Sequence, residues 1–180
     1  MRALAIAIGM IGSSVACSQE SFVDKGACPG EHCSYGAILI ARETTQLLET
    51  SASSASIVAN VQRGEPVRTV TGEVHTVPGH FEIHRSHGEF KPGDDVLLYT
   101  YLGEGYFRLR HNGEIKEADL GFSPWGGTSG TRCADQRRCW GTLKAELQFD
   151  WWVLVRTKSG VEGWVRLERG EIGDKWTYKE

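Results

Sequence analysis

Apolar and polar residues alternate along the second half of the chain, and the clearest stretch lies near its middle. Val96-Leu97-Leu98-Tyr99-Thr100-Tyr101-Leu102 and Tyr106-Phe107-Arg108-Leu109-Arg110-His111 are two β-rich runs joined by Gly103-Glu104-Gly105. A three-residue, glycine-containing link between such runs predicts a hairpin with a bulge. Asn112-Gly113 comes next, and because both residues tolerate positive φ it predicts a type I′ turn into a third strand over 114–117. Within the middle strand Phe107 and Leu109 share one face and Arg108 and Arg110 the other, the alternation of an antiparallel sheet wetted on one side.

A second meander closes the chain. Phe149, Trp151, Val153 and Val155 alternate with Asp150, Trp152, Leu154 and Arg156, Lys158-Ser159-Gly160 turns, and Val161-Glu162-Gly163-Trp164-Val165 returns. A third β region lies upstream, with strands over 45–49, 57–61 and 67–71 and a turn at Arg63-Gly64-Glu65-Pro66. The Ser/Ala stretch 50–56 has the alanine of a helix without an apolar stripe, so it reads as a loop. With 22 glycines in 180 residues, above the background of roughly 7%, the predicted class is all-β with short strands.

The N-terminus carries an address. Arg2 precedes the apolar run Ala3-Leu4-Ala5-Ile6-Ala7-Ile8 and small residues up to Cys17, the layout of a secretory signal and too short for a membrane-spanning helix. Ser14-Val15-Ala16 suits ordinary signal peptidase, while Val15-Ala16-Cys17 resembles the lipobox of bacterial lipoproteins, with Ser14 where that family usually has a large aliphatic residue. The resemblance implies a signal peptide over 1–16 and lipid attachment at Cys17. Polar residues 17–27 then read as a tether, and 28–180 as one domain. The expected location is the periplasm or outer membrane as a lipoprotein, with simple secretion as the alternative.

If Cys17 is lipidated, Cys28, Cys33, Cys133 and Cys139 remain, an even number in an oxidising compartment. Local pairing, Cys28 with Cys33 and Cys133 with Cys139, is favoured because Pro29-Gly30 can turn the first loop back on itself. Loop entropy does not decide the matter: a short loop contributes about 2 kcal/mol and a long crossed one about 5. Zinc held by four thiolates, with His32 in reserve, is the competing reading, and the spacing in the second loop departs from the usual knuckle.

The formal net charge of −3 becomes one unit more negative once Arg2 is removed with the signal. Arg132, Arg137 and Arg138 cluster in one cysteine loop, which reads as a solvated face, so no nucleic-acid partner is expected. A membrane contact is expected only through the lipid on Cys17.

Recognition enters at the closing meander. The run from Trp151 to Val165 resembles the last hairpin of bacterial SH3-like domains, in which a Trp-led strand, a glycine turn and a Gly-Trp-Val strand recur. Residues 47–71, with Gly64-Glu65-Pro66-Val67, look like the opening strands of the same domain. Thr71-Gly72-Glu73-Val74-His75 and Tyr101-Leu102-Gly103-Glu104-Gly105-Tyr106 are similar to segments of exported lipoprotein-type proteins that carry it. The resemblance implies an SH3-like small barrel with an inserted β-meander over about 72–150. Two tandem units are the alternative, disfavoured because 106–115 has no Gly-Trp-Val ending of its own.

Candidate chemistry is sparse. His75, His80, His84 and His87 are close in sequence, but on a strand His80 and His84 would stand about 13 Å apart, too far to share a metal. Metal binding through this segment is therefore a minor alternative, and no metal or other cofactor is expected. Gly127-Thr128-Ser129-Gly130 lacks the strand-turn-helix setting of a nucleophile elbow. Asp94 and Asp95 are adjacent and point apart in extended chain, so they cannot flank one bond. Glu73 and Glu104 are far apart in sequence. No catalytic residue is assigned and no enzyme is expected.

The aromatic residues are the remaining resource, since flat rings beside acids can line a groove for peptide or glycan. Trp151 and Trp164 on facing strands read as cross-strand core partners. Alternation sends Trp152 and Tyr106 away from Trp151 and Phe107, so these two, with Tyr101 and Glu73, form the candidate ligand-binding set. The resulting expectation is a non-catalytic envelope module that recognises peptidoglycan or an extracytoplasmic protein. The alternative is an acidic inhibitory or scaffolding partner of an envelope enzyme or toxin, for which net acidity suits a basic target.

Overall fold

A computed structural model describes residues 21–30, 34–124, 140–167 and 175–179. Among these the chain is all-β, with thirteen strands and no helix. In chain order they are β1 (Phe22–Lys25), β2 (Ile38–Ala41), β3 (Thr45–Leu48), β4 (Ile57–Val61), β5 (Pro66–Val77), β6 (Gly79–Ile83), β7 (Val96–Gly103), β8 (Tyr106–His111), β9 (Glu114–Asp119), β10 (Gly141–Ala145), β11 (Gln148–Thr157), β12 (Glu162–Leu167) and β13 (Trp176–Tyr178).

Eight strands form a large antiparallel sheet in the order β13-β2-β5-β11-β12-β3-β4, with β1 on β5. Strands β2 and β1 follow one another along a single edge of β5, at Pro66–Arg68 and Glu73–Thr76, while β11 runs along the other edge. Val61 of β4 and Trp176 of β13, from opposite ends of the strand order, share one core with Val153. The sheet must curl to bring them together. The small sheet, ordered β10-β6-β7-β8-β9, is built from the chain between β5 and β11. It has its own core, in which Phe81, Trp140, Phe107 and Phe122 pack ring against ring.

Turn chemistry works locally as the residue types require. Asn112 and Gly113 adopt φ of 49° and 92°, and Gly103, Glu104 and Gly105 all have positive φ. The register shifts between Tyr101 and Gly103, which is the bulge anticipated at that link. Residues 50–56 form no strand or helix.

Strand β1 splices the two sheets together. It pairs with β5 through its backbone, while its side chains reach the small sheet. Phe22 stacks on Tyr99 with centroids 4.0 Å apart, and the Asp24 carboxylate accepts hydrogen bonds from Thr100 at 2.7 Å and from the Arg108 guanidinium. Thr76 of β5 donates to the Tyr99 carbonyl at 2.9 Å. The tether expected over 17–27 is thereby corrected in its distal part: composition there is polar, but Asp24 is buried and compensated, which composition does not reveal.

The proposed signal over 1–16 and the lipid site Cys17 lie outside the described residues, as do Cys33, Cys133 and Cys139, the glycine-rich loop 127–130, and Arg132, Arg137 and Arg138. Cys28 is a half-cystine.

Candidate binding site

Register places a compact set of side chains on the outer face of the large sheet. On β11, Trp152 stands opposite Glu73 of β5 and Arg166 of β12; Asp150 stands opposite His75, and Leu154 opposite Trp164. Since cross-strand partners share a face, Glu73, His75, Asp150, Trp152, Trp164 and Arg166 lie together, away from Trp151, Val153 and Val155 in the core.

The polar members are already organised. Ser51 donates to Glu73 Oε2 at 2.5 Å, and His75 Nε2 lies 2.9 Å from the same oxygen. Burial alone would raise the Glu73 carboxyl, but the hydrogen bonds from Ser51 and His75 outweigh it and hold the group below the ordinary glutamate range. Arg166 pairs with Asp150. The His75 ring lies tilted against Trp152 with centroids 6.3 Å apart.

Two clefts flank this row. One of about 460 Å³ is lined by Trp152, Trp164, Gln46, Asn60, Ser53 and Arg166 among others. The second, of about 590 Å³, takes Phe22, His75, Phe149, Asp150 and again Arg166 in its walls. Arg166 therefore borders both, midway along an aromatic and ionic strip. Such a strip can stack a sugar ring or apolar side chain and meet a carboxylate or amine at the same time.

The four residues singled out from sequence divide between the sheets. Trp152 and Glu73 meet across β11 and β5. Tyr106 is 48% exposed, as alternation requires, but it belongs to the small sheet. Tyr101 is buried against Phe107, its hydroxyl accepting from the Gly105 amide at 3.4 Å.

Two expectations are corrected. Trp152 is only 3% exposed: alternation set its face properly, but the β3–β4 loop reaches across that face, with Ser51 on Glu73 and Ser53 in the same cleft wall. Trp151 and Trp164 are not cross-strand partners, since Trp151 stands opposite Leu167. The turn sets the pairing parity, so Trp164 joins Trp152 on the outer face. Counting back from Lys158-Ser159-Gly160 would have revealed Trp164 and Arg166 as members of the site.

The histidine segment disperses. His75 engages Glu73, His84 Nε2 lies 2.8 Å from Thr142 Oγ1, and His87 stacks on Trp140 at 4.6 Å. Among the described residues no three His, Cys, Asp or Glu side chains converge on a point suited to a metal. Asp94 and Asp95 take different partners, Asp94 accepting from Asn112 and lying 2.7 Å from His111, Asp95 facing Arg110 at 3.4 Å.

Fold and site together define an all-β protein with a shallow aromatic and ionic face between two clefts. No family model, curated protein or solved structure matches the chain.

Proposed function

We propose that this protein is a non-catalytic binding module of the bacterial cell envelope, recognising peptidoglycan stem peptides or an extracytoplasmic protein through the outer face of its large sheet. The observation that carries this reading is the placement of the partly exposed Trp164 ring beside the Asp150–Arg166 pair, in one row with the buried Trp152 and the Glu73–His75 pair and with a cleft on either side. Rings supply stacking area, and fixed charges of both signs match the amines and carboxylates of stem peptides. The sequence resemblance to bacterial SH3-like domains, an exported chain with Cys17 as the lipid site, and local pairing of Cys28 with Cys33 and Cys133 with Cys139 all belong to the same proposal.

Retention on purified sacculi tests it. Wild-type protein should be retained and be released by soluble muropeptides, whereas Trp164→Ala and Arg166→Ala should each lower retention about tenfold, the effect of losing roughly 1.4 kcal/mol, with unchanged melting. If wild-type protein passes straight through, the cell-wall version fails, and crosslinking with co-purification then asks for a stoichiometric protein partner. Globomycin treatment tests the anchor by accumulation of precursor.

A further inference from the structure

A separate feature lies at the opposite end of β5 and β11 from the Trp152 face. There a cavity of about 250 Å³ is lined by Arg68, Arg156, Lys158 and Lys179 over an apolar base of Ile38, Pro66 and Val67. Arg68 and Arg156 are direct cross-strand partners on β5 and β11, and like charges placed opposite one another disfavour the pairing of their strands. Lys179 is brought in by its backbone amide, which donates to the Ile38 carbonyl at 2.9 Å, and Lys158 by the turn after β11.

Charge compensation at this site is incomplete. Arg156 is held by Glu162, Nε donating at 2.7 Å. Arg68 donates to the Gly36 carbonyl at 2.8 Å, which orients the guanidinium without neutralising it. Neither Arg68, Lys158 nor Lys179 pairs with a carboxylate among the described residues. Among the described residues, four cations against one acid is a local excess in a chain whose net charge is −3, so it does not follow from overall composition.

We propose that this cavity binds a phosphoryl group attached to an apolar body, with Arg68, Lys158 and Lys179 meeting the phosphate oxygens and Ile38 and Pro66 taking the apolar part. The Arg68 guanidinium, oriented by the Gly36 carbonyl, presents a planar fork of donors to the multiple oxygens of a phosphate, and the lysines add mobile point charge. The chemistry is shared by an anionic phospholipid headgroup and a soluble phosphate ester. This inference does not depend on the function proposed for the Trp152 face.

Titration of the full chain with inorganic phosphate, with a short-chain soluble phosphatidylglycerol, and with vesicles of phosphatidylglycerol or phosphatidylcholine tests it. Saturable binding of the phosphatidylglycerol probe is expected, at least tenfold weaker in a Lys158→Ala/Lys179→Ala double variant and in Arg68→Gln, both melting like wild type. Saturation by the soluble lipid and phosphate supports the site with a soluble ester as source. Saturation by the soluble lipid together with sedimentation on anionic but not zwitterionic vesicles supports it with the membrane as source. Absence of saturable binding by any phosphate-bearing probe, or binding unchanged in both variants, overturns it.

Discussion

Glu73 and Asp94 are carboxylates whose charged forms the fold favours. Ser51 and His75 hold the first below its ordinary range against the effect of burial; Asn112, His111 and the Lys91 amide lower the second. A carboxyl with a lower pKa in the folded state binds fewer protons folded than unfolded. Its contribution to stability is complete above the unfolded value, about 4 for such groups, and is lost as pH falls toward the folded one. Glu73→Gln is therefore expected to make the acid limb of a stability–pH profile shallower while leaving stability near pH 7 lower, as read by urea unfolding at stepped pH. Asp24 is a carboxylate buried at 4% exposure between Thr100 and Arg108. Asp24→Ala should cost about 2 kcal/mol, because Thr100 and the Nη1 group of Arg108 lose their acceptor in a partly buried setting while Arg108 keeps Glu117. A urea midpoint unchanged from wild type would contradict that role.

At the level of elements, β5 is the organising strand. Its twelve residues accept β2 and β1 on one edge and β11 on the other, then lead through Pro78 into β6 and the small sheet. Gly72 sits where Tyr35 crosses this strand: a Cβ there would lie 2.2 Å from the Tyr35 hydroxyl and 2.7 Å from the Trp152 carbonyl. Gly72→Ala should destabilise by about 1–3 kcal/mol, and a Gly72→Ala/Tyr35→Phe variant should recover part of that loss, measured by thermal melting. The hairpin glycine Gly113 differs in kind, since nothing lies within 4 Å of an added Cβ but φ is 92°. Gly113→Ala is expected to cost about 1 kcal/mol through backbone strain alone.

Among the described residues a short set of contacts joins the two cores. Phe22 on Tyr99, Asp24 on Thr100 and Arg108, and Thr76 on the Tyr99 carbonyl are the main ties. The candidate binding face lies on the large sheet, but one of its clefts includes Phe22 from the splice. Phe22→Ala should reduce global stability by about 2 kcal/mol and raise hydrogen exchange in β7 more than in β12; equal change in both strands would argue against a splice.

Local chemistry made much of the fold legible. Strand β7 and its two successors, the Asn112-Gly113 turn, the hairpin between β11 and β12 and the loop over 50–56 all follow from alternation and from residues that accept positive φ. Those signals act over neighbouring positions, so they survive without knowledge of what packs on them. Pairing across long sequence separation leaves no comparable trace. The tie of Asp24 to Arg108, the loop that buries Trp152, the assembly of Glu73, Trp152 and Arg166 from three strands, and the meeting of Arg68 with Arg156 arose only when the sheets closed. Sequence by itself determined the β class, the turns and which side chains alternate; tertiary structure decided which faces are covered and which charges meet, because burial is a property of the neighbours that folding brings.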